Sequence, residues 1–526
     1  MSNTGDFSRA IRNLAQTLPA PRNSGYSEYG ASVTRRSLRG MTGTSGPPEE
    51  DINENLLRLR QRSRQLYMGS PLAASAVKNN RTAIVGTGLT LKSAPLYREL
   101  GWTAEQAEIW AENVENEFAL WADSAANCDL LGNNNFYELQ QLAVVSWLCS
   151  GDVFCLLDSV ELNGLNPYGL RLRLIEADLC RTPTDTMYQT TTTAKLANGN
   201  MCYDGVEVDS RGRIVAYHLC DTYPFQWSMN GLPKWTRVQA YDKQTGLPNI
   251  LQIMDSERPG QYRGVPYLAS VIEVVAQLTR YVESEVAAAV VQSYFTAFIK
   301  TTDTVTDGGF FSQPADKPEG RPRNPDDYQM GPGNVIILQD GDEPVFADPT
   351  HPSGSFGEFV SSFAELIGAA LEIPSSLLLK KFTSNYTAAR GELMEAWKAF
   401  KMRREWLVSQ FCQPVYERFM WEAVSRGRIT APGFFTNPRM RYAYLRTNWV
   451  GPSQGQLDPV KEVSAAVTAM QYGLSTGAAE SIKINGSEYT ENLQELAAEK
   501  AIREQLGLEM NYESTGTGDS HSDETD

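Results

Sequence analysis

Residues 373–393 read IPSSLLLKKFTSNYTAARGEL, and the parsing of this stretch decides how the whole chain is organised. Pro374 cannot continue a helix, because its ring clashes with the preceding turn and its nitrogen has no hydrogen to donate. Before it, Phe359, Phe363, Leu366, Ile367 and Ala370 recur at helical spacing, which predicts a helix over 355–373 that stops at the proline. After it, Tyr386, Ala389, Leu393, Trp397, Phe400, Leu407 and Phe411 form one apolar stripe. That stripe predicts a long helix over 385–427, with Ser384 or Asn385 as N-cap and a kink at Pro414. Between the two lies 374–384, a short apolar connection carrying Leu379, Lys380, Lys381 and Phe382. Composition alone leaves two readings open: an ordinary connection with solvated lysines, or a basic site.

Working outward, Val271, Val275, Leu278, Val282, Val286 and Ala289 share one face of a predicted helix over 265–300, about 50 Å long at roughly 1.5 Å per residue. The two helices bracket an unlike insert at 301–354. It holds eight of the 27 prolines, and ten acidic residues against three basic ones, a net of −7. Its NVIILQDGDEPVFAD pattern predicts a strand–turn–strand with Asp340-Gly341 at the turn.

Residues 50–264 read as an α+β domain. WTAEQAEIWAENVENEFALWA is an amphipathic helix whose Trp102, Ile109, Trp110, Val114, Phe118 and Trp121 are expected in the core. Leu170, Leu172 and Leu174 alternate with Arg171 and Arg173 as on a half-buried strand, and DGVEVDSRGRIVAYHLCD predicts a hairpin about Ser210–Gly212. Residues 428–510 are largely helical, with Gly473 and Gly486 as punctuation. The polar ends, 1–49 and 511–526, are expected to be disordered.

A formal net charge of −16 over 526 residues argues against a protein that grips phosphates. The length calls for several domains. Seven cysteines without a CxxC pair are read as reduced thiols, and no apolar run is long enough to cross a bilayer. The one catalytic pattern by letter is Gly451-Pro452-Ser453-Gln454-Gly455. A nucleophile elbow would need a strand before it, a helix after it and a following histidine, and only His521 in the polar tail follows. Histidines 218, 351 and 521 have no ligand-spaced partners, and His218 is expected to be a satisfied sheet residue. No Gly-Lys dipeptide exists to end a phosphate loop, and Gly86-Thr87-Gly88 lacks the third glycine of a dinucleotide fingerprint. No enzymatic activity, cofactor or metal is therefore expected.

Four stretches carry a resemblance. RPGQYRGVPYLASVIEVVAQLTRYVESEVAAAVVQSYFTAFI (258–299) and LEIPSSLLLKKFTSNYTAARGELMEAW (371–397), with MGSPLAASAVKNNRTAIVGTGLTL (68–91) and CDLLGNNNFYELQQLAVVSWLCSGDVFCLL (128–157), resemble the tailed-bacteriophage portal family of lambda type. The similarity extends over about 50–509 in the family's order. It implies a portal fold: an α/β wing (50–264), a two-helix stem (265–300 and 355–373) with an inserted clip (301–354), a tunnel loop (374–384), a long channel helix (385–427) and a distal wing or helical crown (428–510). It also implies a dodecameric ring at one capsid vertex, a channel for double-stranded DNA during packaging and ejection, located in the virion and, during assembly, in the host cytoplasm. The implied partners are the terminase large subunit, the major capsid protein and scaffold, and head-completion or tail adaptor proteins, with no membrane. On this plan Leu379, Lys380, Lys381 and Phe382 would line the channel. Asp316, Glu319, Asp326, Asp327, Asp340 and Asp342 would serve the motor or adaptor docking surface. Another virion connector, such as a minor head or head–tail protein, is the alternative, as is a hydrolase built on Ser453.

Overall fold

The computed structural model describes residues 36–38, 41, 46–162, 166–184, 192–225, 233–293, 297–301, 342–346, 356–382, 386–454, 459–484 and 489–506. Helix and sheet are mixed throughout. The first part runs α1 (Glu54–Gly69), α2 (Pro71–Ile84), β1 (Thr90–Ser93), α3 (Ala104–Ala122) and α4 (Phe136–Ser150). Pro71 opens α2, where its missing N–H would be unpaired in any case. Helices α3 and α4 start with capping boxes, Thr103 with Gln106 and Asn135 with Glu138, which satisfy otherwise orphaned amides.

The sheets follow. Strands β2 (Asp152–Ser159), β3 (Leu170–Glu176), β4 (Thr193–Lys195), β5 (Met201–Tyr203), β6 (Val206–Val208), β7 (Ile214–Cys220), β8 (Trp235–Gln239) and β9 (Ile250–Met254) divide into two units. One is the antiparallel sheet β3-β2-β9, and the other is the meander β4-β5-β6-β7-β8. The β6–β7 hairpin is where the sequence predicts it, with Gly212 at φ 80 in the turn. Arg171 departs from the expected outward alternation. It is 4% exposed and donates to the carbonyls of Asn127, Tyr168 and Leu170, which satisfy its guanidinium inside the fold.

Helix α5 spans Ile272–Ser293, 22 residues and about 33 Å, shorter than the predicted 265–300. At its C-terminal end β10 (Ala297–Thr301) pairs antiparallel with β11 (Asp342–Phe346). Phe298, Ile299 and Thr301 favour a strand once a partner is available. The partner of Asp342–Phe346 is thus the segment after α5; residues 334–341, the other half of the predicted strand–turn–strand, lie outside the described residues. Asp316, Glu319, Asp326, Asp327 and Asp340 also lie outside them, and Asp342 begins β11.

Helix α6 (Phe356–Ala370) is followed by the one-turn α7 (Ser375–Leu379) and the long α8 (Tyr386–Leu407). The kink expected at Pro414 is a π-helical turn, Val408–Cys412, leading into α9 (Gln413–Ser425). A proline offers no amide to the carbonyl four residues earlier, and the wider turn absorbs the gap. The described part closes with α10 (Pro438–Tyr444), β12 (Thr447–Val450), α11 (Pro459–Gln471), α12 (Gly477–Ile484) and α13 (Tyr489–Leu506).

One apolar core runs from Ala73 to Tyr444, so residues 50–264 share it with the helices that follow. Strand β12 returns to pair with β1, Thr90 opposite Val450. An aromatic nest holds it there: Phe118 of α3 lies 5.6 Å from Phe136, 5.1 Å from Phe419 and 6.0 Å from Trp449. Buried rings of this kind stabilise by roughly 1.5–3 kcal/mol each for area alone. Trp121 is fully buried in the nest, whereas Ile109, expected in the core, is 64% exposed. A smaller core of Phe154, Val206, Tyr217 and Leu219 lies under the meander.

A knot of buried charge joins α1 to both sheets. Arg263 is fully buried and donates to Asp152 (2.6 and 3.1 Å), to the Asp204 carboxylate (2.8 Å) and to the carbonyls of Cys180 and Ala177 (2.8 Å each). Arg60 of α1 reaches Ser150 O at 3.1 Å and approaches Asp152 and Asp204 at 3.5 and 3.4 Å. Burial alone would raise the Asp152 carboxyl, but Arg263 and Arg60 outweigh it and hold it below the usual range. Gly151 and Gly264 cross here so closely that a Cβ on Gly264 would lie 1.9 Å from the Gly151 carbonyl oxygen, so only glycine fits.

Candidate functional site

The connection between α6 and α8 is built by two helix caps, each using a residue in the left-handed region. Helix α6 ends at Ala370, before the predicted 373, because a residue preceding proline avoids helical geometry. Glu372 turns left-handed at φ 54, and Ile373 N donates to Gly368 O at 2.9 Å, closing a Schellman-type cap. A Cβ at Gly368 would lie 2.4 Å from the Ile373 carbonyl oxygen, so this cap needs glycine at that position. Pro374 then precedes α7 rather than an irregular loop. Lys380, the C-cap of α7, turns left-handed at φ 53, and Lys381 N donates to Ser376 O at 3.0 Å.

Helix α7 is seated on α2. Its Leu378 is 2% exposed, and Leu377 and Leu379 pack against the core. Ser75 Oγ donates to Leu378 O at 2.8 Å, and Asn79 Nδ2 donates to Leu377 O at 3.0 Å. Asn79 Oδ1 in turn accepts from Lys380 Nζ at 3.1 Å. The apolar triplet is thus structural, with Leu379 half-buried, whereas Lys380, Lys381 and Phe382 are exposed. Phe382, at 63% exposure, is the large apolar group at the tip. The proposed N-caps Ser384 and Asn385 lie outside the described residues.

A second network fixes the other end. Arg403 of α8, 6% exposed, pairs with Glu372 at 2.6 Å, donates to Asn80 Oδ1 of α2 at 3.0 Å and lies 4.9 Å over the Tyr267 ring. Tyr267 donates its hydroxyl to Leu371 O and accepts from Asn80 Nδ2 at 3.2 Å. Burial pushes its phenol up to about 12, so it stays a neutral donor. The next residue, Arg404, closes the C-terminal end of α2 by donating to Ile84 O (2.9 Å) and Ala83 O (2.7 Å), a favourable place for a cation. Ser75, Asn79, Asn80, Tyr267, Glu372 and Arg403 were not legible as site residues. The available signal is Asn79-Asn80 within an apolar helical pattern, since asparagine is a poor helix former and is kept there for its side-chain hydrogen bonds.

The remaining sequence candidates are placed as follows. Ser453 lies in an irregular stretch after β12, where Arg404 donates to Pro452 O at 2.9 Å. His218 contacts Glu207 at 3.0 Å within the meander, as a satisfied sheet residue. All seven cysteines are free and buried. Among the described residues no group of three or more His, Cys, Asp or Glu could hold a metal, and no helix is long and apolar enough to cross a membrane.

Comparison with known proteins agrees with the resemblance carried by the four stretches. The chain is 23% identical over 490 residues to the portal protein of Escherichia phage N15, covering 90% of this chain and 89% of that one. It is 23% identical over 483 residues to portal protein B of Escherichia phage lambda, covering 88% and 87%. Among solved structures, a chain in the neck of a native GTA particle computed with C12 symmetry is similar at 13% identity and a TM-score of 0.40, over 82% of this chain and 94% of that one. The family model for phage portal proteins of the lambda family matches residues 34–404, a span that contains α2, α7 and most of α8. The chain belongs to the lambda family of phage portal proteins.

Proposed function

We propose that the chain assembles into a dodecameric ring at one capsid vertex, where it forms the channel for DNA packaging and ejection. In this reading it is a virion component that assembles in the host cytoplasm against the major capsid protein and scaffold. The acidic insert docks the terminase large subunit during packaging and head-completion or tail adaptor proteins afterwards, and the chain performs no catalytic step.

One observation carries the reading: an exposed basic tip on a helix seated against the core, with large apolar side chains exposed on the long helices. Val286 of α5, Leu366 of α6 and Met394 of α8 are 58%, 62% and 51% exposed, apolar groups that neighbouring copies in a ring would cover. Repeated around a ring, Lys380 and Lys381 would become positive belts within an acidic tube. An acidic wall repels a polyanion, and a few cations keep it centred without the strong, salt-dependent capture that many phosphate contacts bring.

Negative-stain imaging with native mass measurement tests the ring. A cone-shaped ring with a central hole is expected, and a compact monomer overturns it. For docking, charge reversal at Asp326 and Asp327 is expected to lower packaging in a reconstituted assay, and undiminished packaging rules out their part in it.

A further inference from the structure

A groove of about 580 Å³ runs along the flank of the α6–α7 connection, between α6 and α8. Ala369, Ala399 and Met402 give it an apolar lining, and Glu365, Glu392 and Glu395 give it an acidic rim on which Lys398 is the cation. Two of the rim carboxylates have local partners: Glu392 accepts from Ser376, and Glu395 pairs with Lys398 at 2.6 Å. Glu365 is exposed. Small residues along the walls leave space for a large side chain, and the carboxylates would complement a cation beside it.

The chain itself carries such a group. Phe382 is 63% exposed and follows the two exposed lysines 380 and 381. It does not fill the groove of its own copy, whose lining includes Ser375 but not Phe382. Ser375 at the start of α7 lines the groove, Phe382 lies beyond its end, and Leu378 with the bonds from Ser75 and Asn79 holds α7 in place.

We propose that Phe382 of one copy seats in this groove on the adjacent copy, with Lys381 set against Glu365 and Glu395 at the rim. The two surfaces are opposite in charge, and each copy carries one of each, so the contact is heterologous and repeats from copy to copy. An aromatic anchor filling a pocket beside paired charges is the usual form of an energetically dominant contact. The proposal rests on the ring reading and deepens it. It assigns Phe382 to the joint between subunits and leaves Lys380 as the tip cation available to DNA.

The test pairs Phe382→Cys with Ala399→Cys in the full chain and treats assembled protein with a short bismaleimide. The seven native cysteines are buried, so each single variant serves as the background. A ladder of covalent oligomers on a denaturing gel is expected for the pair and for neither single variant. In parallel, Lys381→Glu is expected to raise the concentration for half-assembly at least tenfold, and Glu395→Lys in the same chain to restore it. Intact rings by native mass with no ladder and no effect of Lys381→Glu overturn the seat while the ring stands. Absence of any ring from the parent chain overturns the ring reading, and the seat falls with it.

Discussion

Two groups of basic residues behave in opposite ways. In the buried knot, Arg263 is fully enclosed and its donors are taken by Asp152, Asp204 and backbone carbonyls. At the end of α7, Lys380 donates to the Asn79 side chain, and both Lys380 and Lys381 face solvent. A saturated, desolvated cation holds its position through its partners, and losing them leaves buried charge behind. An exposed cation on a seated helix contributes little to stability and keeps its charge available to a partner. The knot therefore belongs to architecture, and the tip keeps the exposed charge that the proposed channel role uses.

The largest effect should come from breaking the knot. Arg263→Met leaves Asp152 without its main partner in the interior and is expected to cost roughly 3–5 kcal/mol, read as a lower denaturant midpoint. The supports of the tip should come next. Gly368→Ala forces a Cβ against the Ile373 carbonyl oxygen and is expected to cost about 1–3 kcal/mol, measured in the same titration.

Acid sharpens the buried half of the comparison through the meander. Burial would raise the Glu207 carboxyl, but hydrogen bonds from Arg237, Asn200, Asn198 and His218 outweigh it and hold it at about 2, against an ordinary 4.5. The unfolded chain takes up that proton first, so stability is lost as pH falls from roughly 4.5 toward 2. His218, pulled below its ordinary 6.5 by burial despite Glu207, adds a loss that begins under pH 6.5, because the unfolded imidazole protonates first. In Glu207→Gln the stability curve should be flatter below pH 4.5, and an unchanged slope would refute this assignment.

The smallest stability effect should be at the tip. Lys380→Ala with Lys381→Ala keeps a Cβ at the left-handed position, so the backbone cost is unchanged and the midpoint should move by no more than about 1 kcal/mol, the worth of the Asn79 bond. Rings should still form, at a higher protein concentration because Lys381 is lost from the joint, while DNA retention or translocation changes through the loss of Lys380. Unaltered packaging and retention would return the lysines to the role of solvated residues.

Local patterns were legible to the extent that the physics is local. Pro374 ends one helical pattern and the stripe from Tyr386 opens another, and the structure has helices on both sides of the connection. The hairpin at Gly212 follows from its turn residues, because a left-handed glycine selects the turn. Helix ends were less legible. Residues 297–301 continue an apolar pattern that suits helix or strand, and the choice was made by β11, which lies about forty residues later. In the site, Lys380, Lys381 and Phe382 stood out by composition. Their supports did not, since Asn79 and Ser75 precede them by about three hundred residues and look like surface polar groups in a helix.

By itself the sequence determined the main helices, the hairpin at Gly212, the acidic and proline-rich insert, the basic connection and the family, because propensity, periodicity, charge and turn chemistry are properties of neighbouring residues. Only the tertiary structure decided that β12 returns to β1, that Leu378 is buried while Phe382 is exposed, and that Glu372 and Lys380 adopt left-handed backbone. Left-handed geometry costs a residue with a Cβ on the order of 1–2 kcal/mol, and contacts from Arg403 and Asn79, distant in sequence, help to hold it here.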